Sequence, residues 1–310
     1  MTFRKANESD IPRIAALIGR QQRDTLPNPP GAIAVQIKRD IEGNAGPFEW
    51  IVAETRDDIA VGRIAMIPAP PIYDLKGLAG VVLGTWHTED ASIEPFDRHL
   101  RDRGAAMLVM DCSADDKEKR GKLETLGYTA TTHYMLKHGL TQQFAAPNIR
   151  AANDTDIPAL VAFNREARWR LHEANPAFWI SHPDAETRFG LWMKMSLTMH
   201  DRTIFVSEHN GQPNGFLITQ PPSPIQVPIT LDETKIGVID DFHAISFGAS
   251  LIERHDPASA SSLLRIAEAD FAKRGRTAAM AICPAAWHAK RSRLEEAGYK
   301  TQHTWFTRPA

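Results

Sequence analysis

Residues 112–128 read CSADDKEKRGKLETLGY and residues 283–299 read CPAAWHAKRSRLEEAGY, identical at eight of seventeen positions with an offset of 171. Self-similarity of this kind within one chain points to one structural unit built twice. Three more matches follow in the same order: RKANESDIP (4–12) with RAANDTDIP (150–158), IVAE (51–54) with FVSE (205–208), and PAPPI (68–72) with PPSPI (221–225). Two copies in 310 residues fit tandem domains and not a solenoid. The polar segment HGLTQQFAAPN (138–148) marks the seam, so the domains are expected at residues 1–145 and 146–310. Offsets between the matches give the second copy seven or eight extra residues before FVSE. Another 17 or 18 precede its closing block.

The composition supports a sizeable core in each copy and little else. With 43% hydrophobic and 24% charged residues and a formal net charge of −2, no basic excess invites a nucleic acid or a membrane surface. No apolar run approaches the ~20 residues of a membrane span. The opening MTFRKANESDIPRI lacks the apolar core of a signal peptide, so a cytoplasmic protein is expected. Cys112 and Cys283 hold equivalent places in the repeat, which reads as one buried thiol per copy in a reducing compartment. No Cys/His cluster has zinc-ligand spacing, and no metal is expected.

Each copy reads as strand, helix, strands, helix, strand, helix, strand. In the second, NIRAAN opens as a strand. Asp154 or Asp156 caps a helix IPALVAFNREARWRLHEA with Pro158 in its first turn. TIFVSEHNGQPNGFLITQ is a hairpin turning on Asn-Gly, and KIGVIDDFHAIS is a further strand. ASASSLLRIAEADFAKRG is an amphipathic helix closing on Gly275. TAAMAIC is a strand, AAWHAKRSRLEEAG a helix stopped by Gly298, and YKTQHTWFTR the last strand.

This order, with the opening R-x-A-x-x-x-D-I-P (Arg4 to Pro12, Arg150 to Pro158) and the closing L-E-x-x-G-Y (Leu123 to Tyr128, Leu294 to Tyr299), resembles the GNAT superfamily of acyl-CoA-dependent N-acetyltransferases. The resemblance covers both copies. It implies an α+β fold of two tandem domains, each a mixed, mostly antiparallel sheet flanked by helices. It also implies acetyl-CoA or another acyl-CoA as co-substrate. The pantetheine arm would lie where two strands splay, and the pyrophosphate at the N-terminus of the following helix, where unpaired N–H groups stabilise an anion.

In the second copy that loop is HDPASASSLL, which places His255, Ala258, Ser259, Ala260, Ser261 and Ser262 at the cofactor. It lacks the glycines of the family motif, and Asp256 or Ser259 equally suits a plain helix cap. In the first copy Gly84, His87 and Glu89 stand opposite His255, Ala258 and Ala260. Acidic Glu89 and Asp90 oppose an anion there. The first copy is therefore expected to be a degenerate domain, and residues 146–310 to hold the acyl-CoA site.

The resemblance places the catalytic base on VIDDFHAIS. Strand alternation sets Asp241 and His243 on one face as base and orienter. The family's usual Tyr acid is replaced by Leu294, and by Leu123 in the first copy; His288 is an alternative donor. Cys283 is read as packing, since Cys112 holds the same place in the degenerate copy. The stretch REARWRLHEANPAFWISHPDAETRFGLWMKM is rich in aromatic residues, and Trp169, His172 and Phe178 are expected to touch substrate. The function this implies is transfer of an acetyl or similar acyl group to an amine of a small molecule. The alternative is a non-catalytic CoA-binding, ligand-binding or assembly protein derived from the same fold. Homo-oligomerisation, the acceptor and the acyl chain length stay open.

Overall fold

The computed structural model describes residues 2–21, 27–44, 46–54, 58–88, 93–244 and 257–310. The first half runs β1 (Thr2–Lys5), α1 (Ile11–Gln21), α2 (Pro30–Ile41), β2 (Phe48–Glu54), β3 (Ile59–Pro68), β4 (Leu78–His87), α3 (Glu94–Asp102), β5 (Ala105–Ser113), α4 (Lys117–Thr125) and β6 (Thr129–His138). The second runs β7 (Ile149–Ala151), α5 (Ile157–Ala174), α6 (Ala185–Ser196), β8 (Thr203–His209), β9 (Gln212–Gln220), β10 (Ile236–Ala244), α7 (Pro257–Lys273), β11 (Ala278–Pro284), α8 (His288–Glu296) and β12 (Lys300–Pro309).

The opening motif folds identically twice. Arg4 donates to both oxygens of Asp10 at 2.7 and 2.8 Å, and Arg150 does the same with Asp156. Each Asp also accepts the backbone N–H of an Asn three residues earlier, at 2.8 Å. That Asn, Asn7 or Asn153, caps the short 3-10 turn leading into α1 or α5. Asp156 stands at the N-cap position of α5 as expected, but its carboxylate takes Arg150 and the Asn153 N–H, so the side-chain cap comes from Asn153 on the preceding turn. The hairpin turns on Asn210 and Gly211, both at positive φ, as a two-residue turn requires.

All twelve strands form one sheet in the order β1-β2-β3-β4-β5-β12-β6-β11-β10-β9-β8-β7. The two halves exchange their last strands. β12 pairs antiparallel with β5 of the first half, and β6 pairs antiparallel with β11 of the second. The arms β6 and β12 also pair with each other at the centre.

Each arm carries a cation to the other half at equivalent positions. Lys137 on β6 donates to both oxygens of Glu268 on α7 at 2.8 and 2.9 Å, and Arg308 on β12 pairs with Asp97 on α3. The closing motif supplies the rest. Tyr299 donates to Glu268 at 3.3 Å and Tyr128 to Asp97 at 3.2 Å, while Leu123 and Leu294 are buried beneath the sheet. Gly80 and Gly237 are a further equivalent pair, each on a strand where a helix packs close. A Cβ would come within 2.9 Å of Leu100 Cβ at Gly80 and within 2.1 Å of Phe271 Cδ1 at Gly237.

Candidate active site

Two places in the sheet part. β4 and β5 pair in parallel only as far as Val82 and Met110, and β10 and β11 only as far as Ile239 and Ala281. Beyond those points β4 and β10 run on to His87 and Ala244. A bulge sits there in each: at Leu83 against β3, and at Asp240 and Asp241 against β9. Matching the last paired residues sets Asp241 opposite Gly84 of the first half, and the opening repeat sets Asn164 opposite Ile18.

Around the second splay lies a buried polar cluster. Asn164 on α5 donates to Asp241 Oδ2 at 3.4 Å and accepts from Arg168 one turn on. Asn164 and Arg168 are both buried. Lys290, on the first turn of α8, is also buried at 3% exposure and stands over the rings of Phe242 and Trp287 at 5.6 and 5.7 Å. Neither Arg168 nor Lys290 forms an ion pair among the described residues. Burial raises the Asp241 pKa, opposed by Lys290, Asn164, the Phe242 N–H and Arg168. Asp240, the other residue of the bulge, accepts from Gln226 at 3.1 Å. Burial and the neighbouring Asp241 push its pKa up to about 6. Burial lowers the Lys290 pKa, against the pull of Cys283, Asp241 and Asp240.

The first half contributes to this place. Its β3–β4 loop lies along the α5–α6 loop: Tyr73 bridges to Ser181, Asp74 N donates to Ile180 O at 2.8 Å, and His182 N to Ile72 O at 2.9 Å. The Tyr73 ring stands 5.2 Å from Trp179. Burial raises the Tyr73 pKa, Asp241 raises it further, and Arg168 opposes.

The expected site residues fall in different surroundings. His243 is buried among Phe163, Phe216 and Trp287, with ring centroids at 5.1, 6.5 and 5.9 Å. Burial pushes its pKa down to about 3, so it is neutral near pH 7. Trp169 points outward at 58% exposure, one residue from inward-facing Arg168. The exposed His172 holds the loop through Nδ1 and Trp179 O at 2.9 Å. Phe178 packs against the first half's cluster with Leu75 and Ile225.

His255 lies outside the described residues, and Ala258 falls in the first turn of α7. Ser259 is buried, its hydroxyl 3.0 Å from that of Ser207, and Ala260 is fully buried. Ser261 and Ser262 are half-buried, and Arg293 of α8 reaches the Ser261 hydroxyl at 3.5 Å. Both thiols are buried, and burial raises Cys112 to about 11 and Cys283 to about 12, as packing residues would show. Leu294 is buried and holds no proton donor.

The first half's loop does not align as expected. Gly84 and His87 lie within β4, and Glu89 falls outside the described residues. The shortfall sits partly in the helix, since α3 has 9 residues against 17 in α7. At this splay a cavity of about 590 Å³ opens, lined among others by Thr85, Asp111, Asp116, Lys119 and His303. Lys119, the counterpart of Lys290, is engaged there, donating to Thr85 Oγ1 at 2.9 Å. Asp111 pairs with His303, which the exchanged β12 brings in. Among the described residues, no group of three or more His, Cys, Asp or Glu could hold a metal ion, and no helix is long and apolar enough to cross a membrane.

No family model matches this sequence, and no curated protein does. Solved structures do. One is a tandem GNAT protein from the clavulanic acid biosynthesis pathway, 10% identical, with 99% of this chain and 98% of that chain covered and a TM-score of 0.51. Another is a GCN5-related N-acetyltransferase from Sphaerobacter thermophilus, 15% identical, with 99% and 95% covered and a TM-score of 0.58. At such identities the likeness is one of fold: the chain has the α+β fold of the tandem GNAT proteins along nearly its whole length.

Proposed function

We propose that this protein is an acyl-CoA-dependent N-acyltransferase, moving an acetyl or similar group to an amine of a small molecule in its second half. The observation that carries the reading is the Asp241–Asn164–Arg168 cluster with Lys290 at the β10–β11 splay. The first half has Gly84 and Ile18 where Asp241 and Asn164 stand, so only Lys119 of that set is repeated. The two solved structures of the same fold, a tandem GNAT protein and a GCN5-related N-acetyltransferase, agree with this class.

In direct attack the acceptor nitrogen bonds to the thioester carbonyl carbon, the C–S bond breaks, and CoA leaves as the thiolate. The acceptor ammonium must first lose a proton. Asp241 is the proposed base, and its raised pKa favours taking that proton. Lys290 is the proposed donor to the developing oxyanion or the departing thiolate, in place of the Tyr that Leu294 replaces. His243, two residues on in the same strand, stays neutral and packs among Phe163, Phe216 and Trp287. The pyrophosphate would meet the first turn of α7, with Ser261, Ser262 and Arg293 beside it; Ser259 is engaged with Ser207.

The engaged Ser259 and the apolar Leu294 favour the second reading, a ligand-binding protein without turnover. Asp241→Asn separates the two. For an enzyme, release of CoA thiol falls at least about 100-fold while acetyl-CoA binding by calorimetry is unchanged. Thiol release that is indifferent to the substitution removes Asp241 from the mechanism. No thiol release from the wild type with any amine favours the second reading.

A further inference from the structure

We propose that the acceptor is a zwitterion: a small molecule that carries a carboxylate as well as the amine to be acylated. The inference rests on the acyltransferase reading for the word acceptor, but on the cluster alone for the ligand's chemistry.

Arg168 is 4% exposed and its Nε makes no hydrogen bond among the described residues. A buried guanidinium without a carboxylate costs stability unless something supplies the missing acceptors. No carboxylate pairs with it directly: Glu186 and Asp241 act on Arg168 only through space, Asn164 offers one amide oxygen, and that same Asn turns its amide toward Asp241. The amide therefore holds a cation and an anion apart on one face instead of letting them pair. Each charge is left facing a ligand of opposite sign, an ammonium at Asp241 and a carboxylate at Arg168. Guanidinium and carboxylate match in two-pronged geometry, which a lysine at this place would not give.

The surroundings fit a small ligand. Tyr73 and Trp179 close the place from two different halves, and the Tyr73 hydroxyl is within electrostatic reach of both Arg168 and Asp241. Lys290 stands over Phe242 and Trp287, beside the splay where the thioester would lie. A simple amine would leave the Arg168 guanidinium without a paired carboxylate, and an acid without an amine would leave Asp241 without a paired cation.

Ligand-observed NMR on the full chain, without acyl-CoA, tests this. The probes are the twenty common amino acids, β-alanine and 4-aminobutyrate, each beside its decarboxylated amine and its deaminated acid. The expected result is binding of at least one zwitterion, about 10-fold or more tighter than its amine and its acid. Arg168→Met should erase the advantage over the amine, Arg168→Lys should keep part of it, and Asp241→Asn should erase the advantage over the acid. Thermal melting of each variant confirms that it is folded, and the wild-type comparison stands even if Arg168→Met is not. If no zwitterion binds, or if the amines bind as tightly, the inference is overturned. Zwitterion binding that depends on Arg168, in a protein that fails to bind acetyl-CoA, would uphold the ligand class and sink the acyl-transfer reading instead.

Discussion

At the scale of the residue, Asp241 and Lys290 are coupled, and the coupling has a sign. Burial raises the Asp241 pKa and Lys290 pulls it back. Lys290→Met removes that pull, so the acid limb of kcat/KM should move to higher pH. A pH–rate profile reads this, and an unmoved or lowered limb would separate Lys290 from the base. Asp240 gives a stability prediction. Its native pKa of about 6 lies above the ordinary 3.8, so the native state holds more protons between those values. Stability therefore falls as pH rises through that window, and the penalty is complete above it. Asp240→Asn should stabilise the protein by about 1–3 kcal/mol at pH 7.5 and by little at pH 4. Denaturant melts at the two pH values measure it, and equal gains at both would contradict the linkage. Asp241 is singled out in the sequence by the family resemblance together with strand alternation, but the bulge it stands in is set by pairing with β9 and is not visible there. Arg168 is visible in the sequence only as part of the aromatic-rich stretch; which of Arg168 and Trp169 faces inward is fixed by packing, since a helix turns by about 100° per residue. Lys290 is one of the eight repeated letters, and a letter that both copies share reads as structural from sequence alone; their surroundings differ, with Thr85 beside Lys119 and no ion pair among the described residues for Lys290.

At the scale of the element, the repeated motifs turn out to be joints. R-x-A-N-x-x-D closes each first strand onto its helix through Arg and Asp, and L-E-x-x-G-Y ends each last helix and ties its Tyr to a carboxylate. These local units, the helix at 157–174 and the hairpin on Asn210-Gly211 follow from caps, periodicity and turn residues near in sequence. The exchange of β6 and β12 does not, since the partner of a strand is set by contacts far away in the chain. Its stability should depend on the arm cations. Glu268 is fully buried, so Lys137→Met leaves a buried charge with only hydroxyl and amide donors, at a cost of about 3–5 kcal/mol. Arg308→Met should cost less, because Arg101 still pairs with Asp97 at 2.7 Å. Equilibrium unfolding of the two variants checks the order. Equal losses would mean that strand pairing, and not these ion pairs, holds the arms.

At the scale of the whole molecule, one sheet of twelve strands with exchanged arms leaves neither half complete without the other. The intact chain should unfold in one calorimetric transition, with calorimetric and van't Hoff enthalpies equal; two resolved transitions would mean that the halves are independent after all. The first half also reaches the proposed site, through the exchanged β6 beside β11 and, separately, through Tyr73 of its β3–β4 loop beside Trp179. Hydrogen–deuterium exchange of the full chain with and without acetyl-CoA tests this division most directly. The account predicts protection at residues 240–244 of β10, 282–284 of β11 and the first turn of α7. Protection at residues 84–87 and 111–113 instead would move the acyl-CoA site to the first half and contradict it.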